Sequence, residues 1–284
     1  MSGDAGFFTT GEGVRILLST PHEACGKRVR LSRLTRQNKD GIFLVPMDHS
    51  ITLGPITTAA GLEHLVAVVS ANGADGVVLH SGRARFVDPE LFRDLSLIVH
   101  LSASTDQAPD TDEKVLVSAV EQAVTLGADA ASVHVNLGSG TESAQLADLG
   151  RVAARCGQWG MPLIAMIYPR GPRIENPADP SLVAHAANIA ADLGADIVKT
   201  TYTGSVDTMA EVVETCPIPV VVAGGARTET ETDLYTSIEA IMRSGAAGVA
   251  VGRNVFQARE VSRVTRRIAN IVHGITSREQ GIAS

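Results

Sequence analysis

Lysine is scarce in this chain, with four lysines against twenty arginines. One of the four, Lys199, stands inside an apolar run, Ala-Asp-Ile-Val-Lys-Thr over 195–200, where surface solvation does not explain it. In a strand Lys199 shares a face with Ile197, so its amine is expected to enter an apolar interior. Desolvation there disfavours the ammonium form, and a neutral amine is the species that attacks a ketone to give an iminium. Two other polar residues close apolar runs in the same manner: Tyr168 shares a face with Ile164 and Met166, and Asp48 with Leu44 and Pro46. A Schiff base that makes or breaks a carbon–carbon bond needs one group to protonate and deprotonate the carbinolamine, and another to handle the proton at the substrate carbon or hydroxyl. A phenol and a carboxylate can serve. The bland alternatives are an ion pair between Lys199 and Asp48, a rim tyrosine with a hydrogen-bonded tip, and a helix cap at Asp48.

Two further constellations carry chemistry. Gly224 and Gly225 end one apolar run, and Gly252 and Arg253 end the next. Glycines let backbone N–H groups approach an anion and an arginine adds a charge-assisted contact, so this pair of turns is the expected phosphate seat. His49, His80, His100 and His134 also end apolar runs, and a Zn²⁺ site built from them is the competing mechanism. No HExxH or helical HxxxH spacing supports it, and neither metal nor cofactor is expected.

The elements that must position these residues are announced by a recurring phrase. GADG at 73–76, GADA at 127–130, GADI at 194–197 and GAAG at 245–248 each follow a helical pattern and precede an apolar run. The glycine suits a helix end and the short apolar run suits a strand buried on both faces. Eight such runs are counted, at 42–47, 76–80, 97–101, 131–135, 162–167, 196–200, 219–223 and 248–251. Eight alternating strand–helix units predict a single (β/α)₈ TIM barrel, an α/β fold whose active site lies at the C-terminal ends of the strands. Between them, 112–126 reads as a helix with Asp112 and Glu113 in its first turn, and Thr228 with Glu231 has capping-box spacing. Residues 1–25 show no sustained period and read as an N-terminal extension, partly loose or packed on a neighbouring subunit; the barrel domain is expected over 26–284.

Composition narrows the partners. A net charge of −7 argues against a binder of nucleic acid, whose affinity rests on clustered positive charge, so a phosphorylated small molecule is expected instead. Three cysteines without metal spacing read as reduced thiols. There is no basic-then-apolar leader pattern and no apolar run near the ~20 residues that span a bilayer, so a cytoplasmic protein with no membrane contact is expected.

With these residues assembled, the chain resembles the archaeal-type, DhnA-like class I aldolases, and within them the branch of 2-amino-3,7-dideoxy-heptulosonate synthases. The strings that carry the likeness are GKRVRLSRL (26–34), PMDHS (46–50), HVNLGS (134–139), LIAMIYPRG (163–171), ADIVKTTYTG (195–204), PVVVAGG (219–225) and GAAGVAVGRNVFQ (245–257). The resemblance implies Lys199 as the Schiff-base lysine, Tyr168 as proton donor and Asp48 as proton acceptor. It implies substrate contacts at His49, Ser50, Ile51, Thr52, Pro169, Arg170, Gly224, Gly225, Gly252 and Arg253. It further implies a homo-oligomer, a decamer on the family pattern. Sugar-bisphosphate relatives often carry Trp where this chain has Met166, which tilts against fructose 1,6-bisphosphate. Ser50 and Ser81 stand where many relatives carry Gly and Lys. Bacterial relatives of the synthase type are similar to enzymes joining a dihydroxyacetone-phosphate unit to aspartate 4-semialdehyde, and archaeal ones to enzymes transferring a three-carbon unit from a deoxy-diulose phosphate. A non-enzymatic barrel that binds a phosphorylated ligand is the opposing class.

Overall fold

The computed structural model describes residues 25–35, 41–58 and 61–275. The extension expected over 1–25 lies outside them except for Cys25. Eight parallel strands close a barrel: β1 (Ile42–Pro46), β2 (Gly76–His80), β3 (Ser96–His100), β6 (Ala130–Leu137), β7 (Leu163–Pro169), β8 (Ile197–Thr200), β9 (Val220–Ala223) and β10 (Gly248–Ala250). Around the barrel the order is β1-β10-β9-β8-β7-β6-β3-β2. Each strand coincides with one of the eight apolar runs to within about two residues at either end, the usual uncertainty of element ends. Two further short strands, β4 (Ser102–Ala103) and β5 (Val115–Leu116), form an antiparallel ribbon between β3 and β6.

The inward residues form one apolar column, with Leu44, Val78, Ile98, Ile164, Ile197 and Val221 in contact. Its lower end is closed by helix α1 (Cys25–Leu34), whose Leu31 and Leu34 are buried in that column. Full burial stabilises each leucine by about 1.5–3 kcal/mol. The outer layer runs α2 (Ser50–Leu53), α3 (Gly61–Ala71), α4 (Ser81–Ala84), α5 (Val120–Thr125), α6 (Glu142–Trp159), α7 (Pro180–Asp192), α8 (Val206–Thr215), α9 (Glu231–Arg243), α10 (Arg253–Phe256) and α11 (Val261–Val272).

The recurring GAD phrase has a structural reason beyond its glycine. Its aspartates stand at the foot of the strands, and each accepts an N–H from the first two residues of a neighbouring strand: Asp75 from Phe43 at 2.7 Å, Asp129 from Leu97 at 3.3 Å and Asp196 from Leu163 at 2.8 Å. Two of these carboxylates also bind α1, Asp196 to Lys27 at 2.6 Å and Asp129 to Arg33 at 3.1 Å. One carboxylate thus satisfies a backbone N–H at the start of a strand and anchors the plug.

Two sequence expectations are corrected. The helix read over 112–126 is only Val120–Thr125. Gln122 accepts from the Ala119 N–H at 3.1 Å and from Ser118 Oγ at 2.6 Å, which starts the helix at 120. Upstream, Val115 and Leu116 pair with β4, as suits a β-branched residue at a strand edge, so Asp112 and Glu113 belong to the β4–β5 connection rather than to a helical first turn. The cap of α9 is Thr230, whose Oγ1 accepts from Asp233 N at 3.1 Å, and not Thr228. Asn254 Oδ1 takes the Thr228 N–H at 3.0 Å and holds that residue in the preceding loop.

Candidate active site

A cavity of about 860 Å³ opens at the C-terminal ends of the barrel strands. The strand register sets its floor. Lys199 on β8 pairs with Met166 on β7, Met166 pairs with His134 on β6, and Tyr168 stands one pleat higher on β7, opposite Asn136. Lys199, Met166 and Tyr168 therefore share the inward face, above the apolar column of Ile164 and Ile197. Lys199 Nζ lies 3.9 Å from Met166 Sδ and 5.8 Å from the centre of the Tyr168 ring. His134 packs edge-on against that ring, 5.0 Å between centroids, and is fixed by Nε2 to Asn136 Oδ1 at 2.8 Å.

Asp48 leaves the end of β1 toward the same floor. Its carboxylate is 3.6 Å from His49 Nδ1 and 3.9 Å from His100 Nε2. His100 is oriented by Nδ1 against Ser132 Oγ at 2.8 Å, and His80 stacks obliquely on it at 5.3 Å. Burial raises the Asp48 carboxyl, but His100, His49 and Lys199 outweigh it and hold the group below its ordinary value, as a carboxylate. Burial pushes the His100 imidazole down to about 4 and the His134 imidazole well below its ordinary value, so both are neutral at physiological pH. Burial likewise lowers His49 and His80.

Lys199 departs from the sequence expectation. Burial does work to lower it, but the Tyr168 oxygen and the Asp48 carboxylate favour the charged form, and the balance lies above the ordinary lysine value. The resting group is an ammonium, and its proton has to move before the nitrogen can attack. No ion pair to Asp48 within 4 Å forms among the described residues, so the bland partner assigned to it is not in contact.

The two glycine turns meet beside this floor. Arg253 reaches from the end of β10 to the Gly225 carbonyl at 3.0 Å, tying the β9 and β10 turns together. A Cβ at Gly252 would come within 2.8 Å of both Pro46 O and His49 Cε1, so only glycine lets that backbone approach the β1 turn.

Of the residues marked from sequence, Lys199, Tyr168, Asp48, His49, Thr52, Pro169, Arg170, Gly224, Gly225, Gly252 and Arg253 all line the one cavity. Ser50 and Ile51 do not. The turn after β1 is the helix α2, which rotates successive side chains by roughly 100°, so His49, Thr52 and Leu53 face the cavity while Ser50 lines a separate small pocket with Ile56 and Leu62. Among the described residues no three His, Cys, Asp or Glu side chains are grouped to hold a metal ion. Sequence reasoning missed Lys114 and Asp106, which line the cavity from the β4–β5 connection. The scarcity of lysine that singled out Lys199 applies equally to Lys114.

Residues 42–258 match the model of the DeoC/LacD family aldolases. The chain belongs to that family. It is 50% identical over 258 residues to the 2-amino-4,5-dihydroxy-6-oxo-7-(phosphonooxy)heptanoate synthase of Streptomyces griseus, covering 91% of this chain and 94% of that one. It is 42% identical over 251 residues to 2-amino-3,7-dideoxy-D-threo-hept-6-ulosonate synthase 1 of Archaeoglobus fulgidus, covering 88% and 92%. Among solved structures, an archaeal fructose-1,6-bisphosphate aldolase with its catalytic lysine bound to a carbinolamine intermediate superposes with a TM-score of 0.80 at 32% identity, covering 87% of this chain and all of that one. The aldolase is thus a class I enzyme that works through a lysine Schiff base.

Proposed function

We propose that this aldolase joins dihydroxyacetone phosphate to aspartate 4-semialdehyde, giving a seven-carbon amino-heptulosonate phosphate for aminohydroxybenzoate synthesis. The observation that carries the reading is the placement of Lys199: a cation in the apolar inner column, under the Tyr168 ring and facing Asp48, at the floor of a cavity with a glycine–arginine anion seat on one wall. The identity to the Streptomyces synthase supports the substrate pair.

Asp48 accepts one ammonium proton of Lys199 as the nitrogen adds to the ketone carbon, and one of the two protons left on that nitrogen passes to the new oxygen. Tyr168 gives its proton to this oxygen, which leaves as water, so a C–N bond replaces the C–O bond and an iminium results. The Tyr168 oxygen next removes a proton from the adjacent hydroxymethyl carbon, giving an enamine. That carbon bonds to the aldehyde carbon of the acceptor, and Tyr168 returns the proton to the new alkoxide. Water adds to the iminium, giving one proton back to Tyr168. The product ketone leaves, and Asp48 restores the ammonium. The phosphate is held at Gly224, Gly225, Gly252 and Arg253, by N–H groups and a guanidinium. His49, Thr52, Pro169 and Arg170 contact the substrates from the remaining walls.

Borohydride reduction in the presence of dihydroxyacetone phosphate tests the scheme. Mass spectrometry should find the three-carbon adduct on Lys199, aspartate 4-semialdehyde should discharge it before reduction, and Lys199→Ala should lose both trapping and turnover. Phosphate bound without any adduct would make the protein a receptor. An adduct formed only from a deoxy-diulose phosphate would change the donor. The reading also places the enzyme in the cytoplasm as a homo-oligomer, a decamer on the family pattern, which light scattering on the purified chain checks.

A further inference from the structure

Going round the barrel from β9 and β10, which carry the anion seat, the strands β8, β7 and β6 lead one way and β1, β2 and β3 the other. The pair diametrically opposite β9 and β10 is therefore β3 and β6. Between those two strands the chain inserts the β4–β5 ribbon and its connection. The ribbon is tied down on both sides, since Ser102 Oγ accepts from His134 N at 3.1 Å and Val117 N donates to Leu101 O at 2.8 Å. Its connection lies over the cavity: Asp106, Thr111 and Lys114 all line the wall there. Lys199 and Tyr168 stand on the arc between the two anchors.

Lys114 is built into this wall. Its ammonium is half-buried and donates to Thr111 O at 3.0 Å and to Ser104 Oγ, which leaves one of its three N–H groups uncommitted. Among the described residues it makes no ion pair. Burial and the neighbouring Arg170 guanidinium act against its charge while Asp112, Asp106 and Asp110 favour it, and since none of these carboxylates is within ion-pair distance, its remaining N–H is open to an incoming anion. Arg170 itself is neutralised by Asp112 at 2.7 Å. Asp106 is exposed toward the cavity, also makes no ion pair among the described residues, and is near enough to Lys114 to favour its charge. The same cavity wall thus presents a cation and a carboxylate, neither of them ion-paired among the described residues. Such a pair matches a zwitterion and is a poor match to a second phosphate dianion, which the carboxylate would repel.

We propose that Lys114 and Asp106 seat the α-amino-acid head of the acceptor aldehyde, with Lys114 on the carboxylate and Asp106 on the ammonium group. This rests on the aldolase reading above and assigns the end of the product that the reading leaves open. The seven-carbon product carries its phosphate at one end and its amino acid at the other, with the Schiff-base carbon between, and the barrel mouth has the corresponding three stations in that order.

The test compares aldehydes in the full-length enzyme loaded with dihydroxyacetone phosphate. The aldehydes are aspartate 4-semialdehyde, 4-oxobutanoate, which keeps the carboxylate but lacks the amine, propanal, which lacks both, and glyceraldehyde 3-phosphate. In Lys114→Met the kcat/KM of the first two relative to propanal should fall about 10- to 100-fold, the worth of a charge-assisted hydrogen bond. Lys114→Arg should restore most of that ratio. In Asp106→Asn the ratio of aspartate 4-semialdehyde to 4-oxobutanoate should fall several-fold, and the ratio of 4-oxobutanoate to propanal should hold. An equal loss for all aldehydes in Lys114→Met would make Lys114 a prop of the ribbon and overturn the proposal. So would unchanged ratios, or a loss confined to glyceraldehyde 3-phosphate, which would mark a phosphate seat. Failure of the aldolase reading is separately visible, because the wild-type enzyme would then form no borohydride-trapped adduct at Lys199.

Discussion

The two rims of the barrel use the same residue types to opposite ends. At the lower rim every charged group named has found a protein partner: Asp75, Asp129 and Asp196 each cap a neighbouring strand, and Lys27, Arg33 and His273 contact them at 2.6 to 3.1 Å. At the upper rim the partners are incomplete. Lys199 lies against a thioether sulfur and an aromatic ring, the nearest carboxylate to His49 and His100 is at 3.6 and 3.9 Å, and among the described residues His49 Nδ1 and His80 Nδ1 have no hydrogen-bond partner. Saturated polar groups hold a shape. Unsaturated ones in a cavity keep their donors, acceptors and charge for a ligand. Substitutions at the upper rim should therefore be read in kinetics, and those at the lower rim in stability.

The largest kinetic effect short of removing Lys199 is expected at Tyr168. Tyr168→Phe keeps the ring that covers the lysine and the His134 contact but removes the transferable proton. Turnover should drop by roughly 10²–10⁴-fold, the usual worth of a general acid–base group, with the melting temperature nearly unchanged. Near-normal turnover in a rapid-mix assay would reduce Tyr168 to a packing residue.

The upper rim nevertheless has one stability signature, because it buries imidazoles. His100 takes a proton only at about 4 in the fold against an ordinary value of 6.5. Between those values the unfolded chain binds the proton and the native one does not, so stability present above pH 6.5 is lost as the pH falls toward 4. For His100 the loss is on the order of 3 kcal/mol. Urea titrations at pH 7 and pH 4.5 measure it, and His100→Gln should flatten the dependence. A variant with the wild-type pH profile would show that His100 is already protonated in the fold.

The contrast between the rims also explains what the sequence could announce. The strands were legible because parallel strands buried on both faces are uninterrupted apolar runs, and the GAD joints repeat because each must end a helix and cap a neighbouring strand. Lys199, Tyr168 and Asp48 were legible as polar breaks at the ends of such runs. What escaped lies where side-chain hydrogen bonds decide the backbone. The ribbon that carries Lys114 reads as part of a helix because Val120, Ala123 and Val124 extend a helical stripe, and only the Gln122 cap fixes where the helix starts. The resemblance extends the site through Ser50 and Ile51, which follow His49 in sequence, but the helix α2 turns both away from the cavity that His49 and Thr52 line. The charge state of Lys199 also escapes the sequence, because desolvation follows from an apolar run, whereas the opposing Tyr168 and Asp48 arrive from other strands.

A smaller effect is expected at the anion seat. Arg253→Ala removes one charge-assisted contact and the tie to Gly225, and should weaken the phosphorylated donor by about 1.5–3 kcal/mol in donor saturation curves. Acceptor saturation should move far less, because the acceptor head is assigned to the opposite wall. Equal losses for both substrates would mean that Arg253 supports the turns rather than the phosphate.

The lower rim should give the smallest effects, and within it an ordering. Asp129 is 5% exposed and carries both the Leu97 N–H and the Arg33 guanidinium, whereas Arg33 is 51% exposed. Asp129→Ala strands a buried donor and should cost about 1–3 kcal/mol in urea denaturation. Arg33→Ala frees a carboxylate that keeps its backbone partner, and the guanidinium was already half in water, so the cost should be at most about 1 kcal/mol. Added salt should shrink the Arg33 effect and leave the Asp129 effect, since only the first is mainly a screened charge pair. In both variants kcat/KM measured below the unfolding transition should match the wild type. If Arg33→Ala proved as costly as Asp129→Ala, the plug helix would be held by its ion pairs rather than by Leu31 and Leu34, and the lower rim would depend on charge as much as the upper one does.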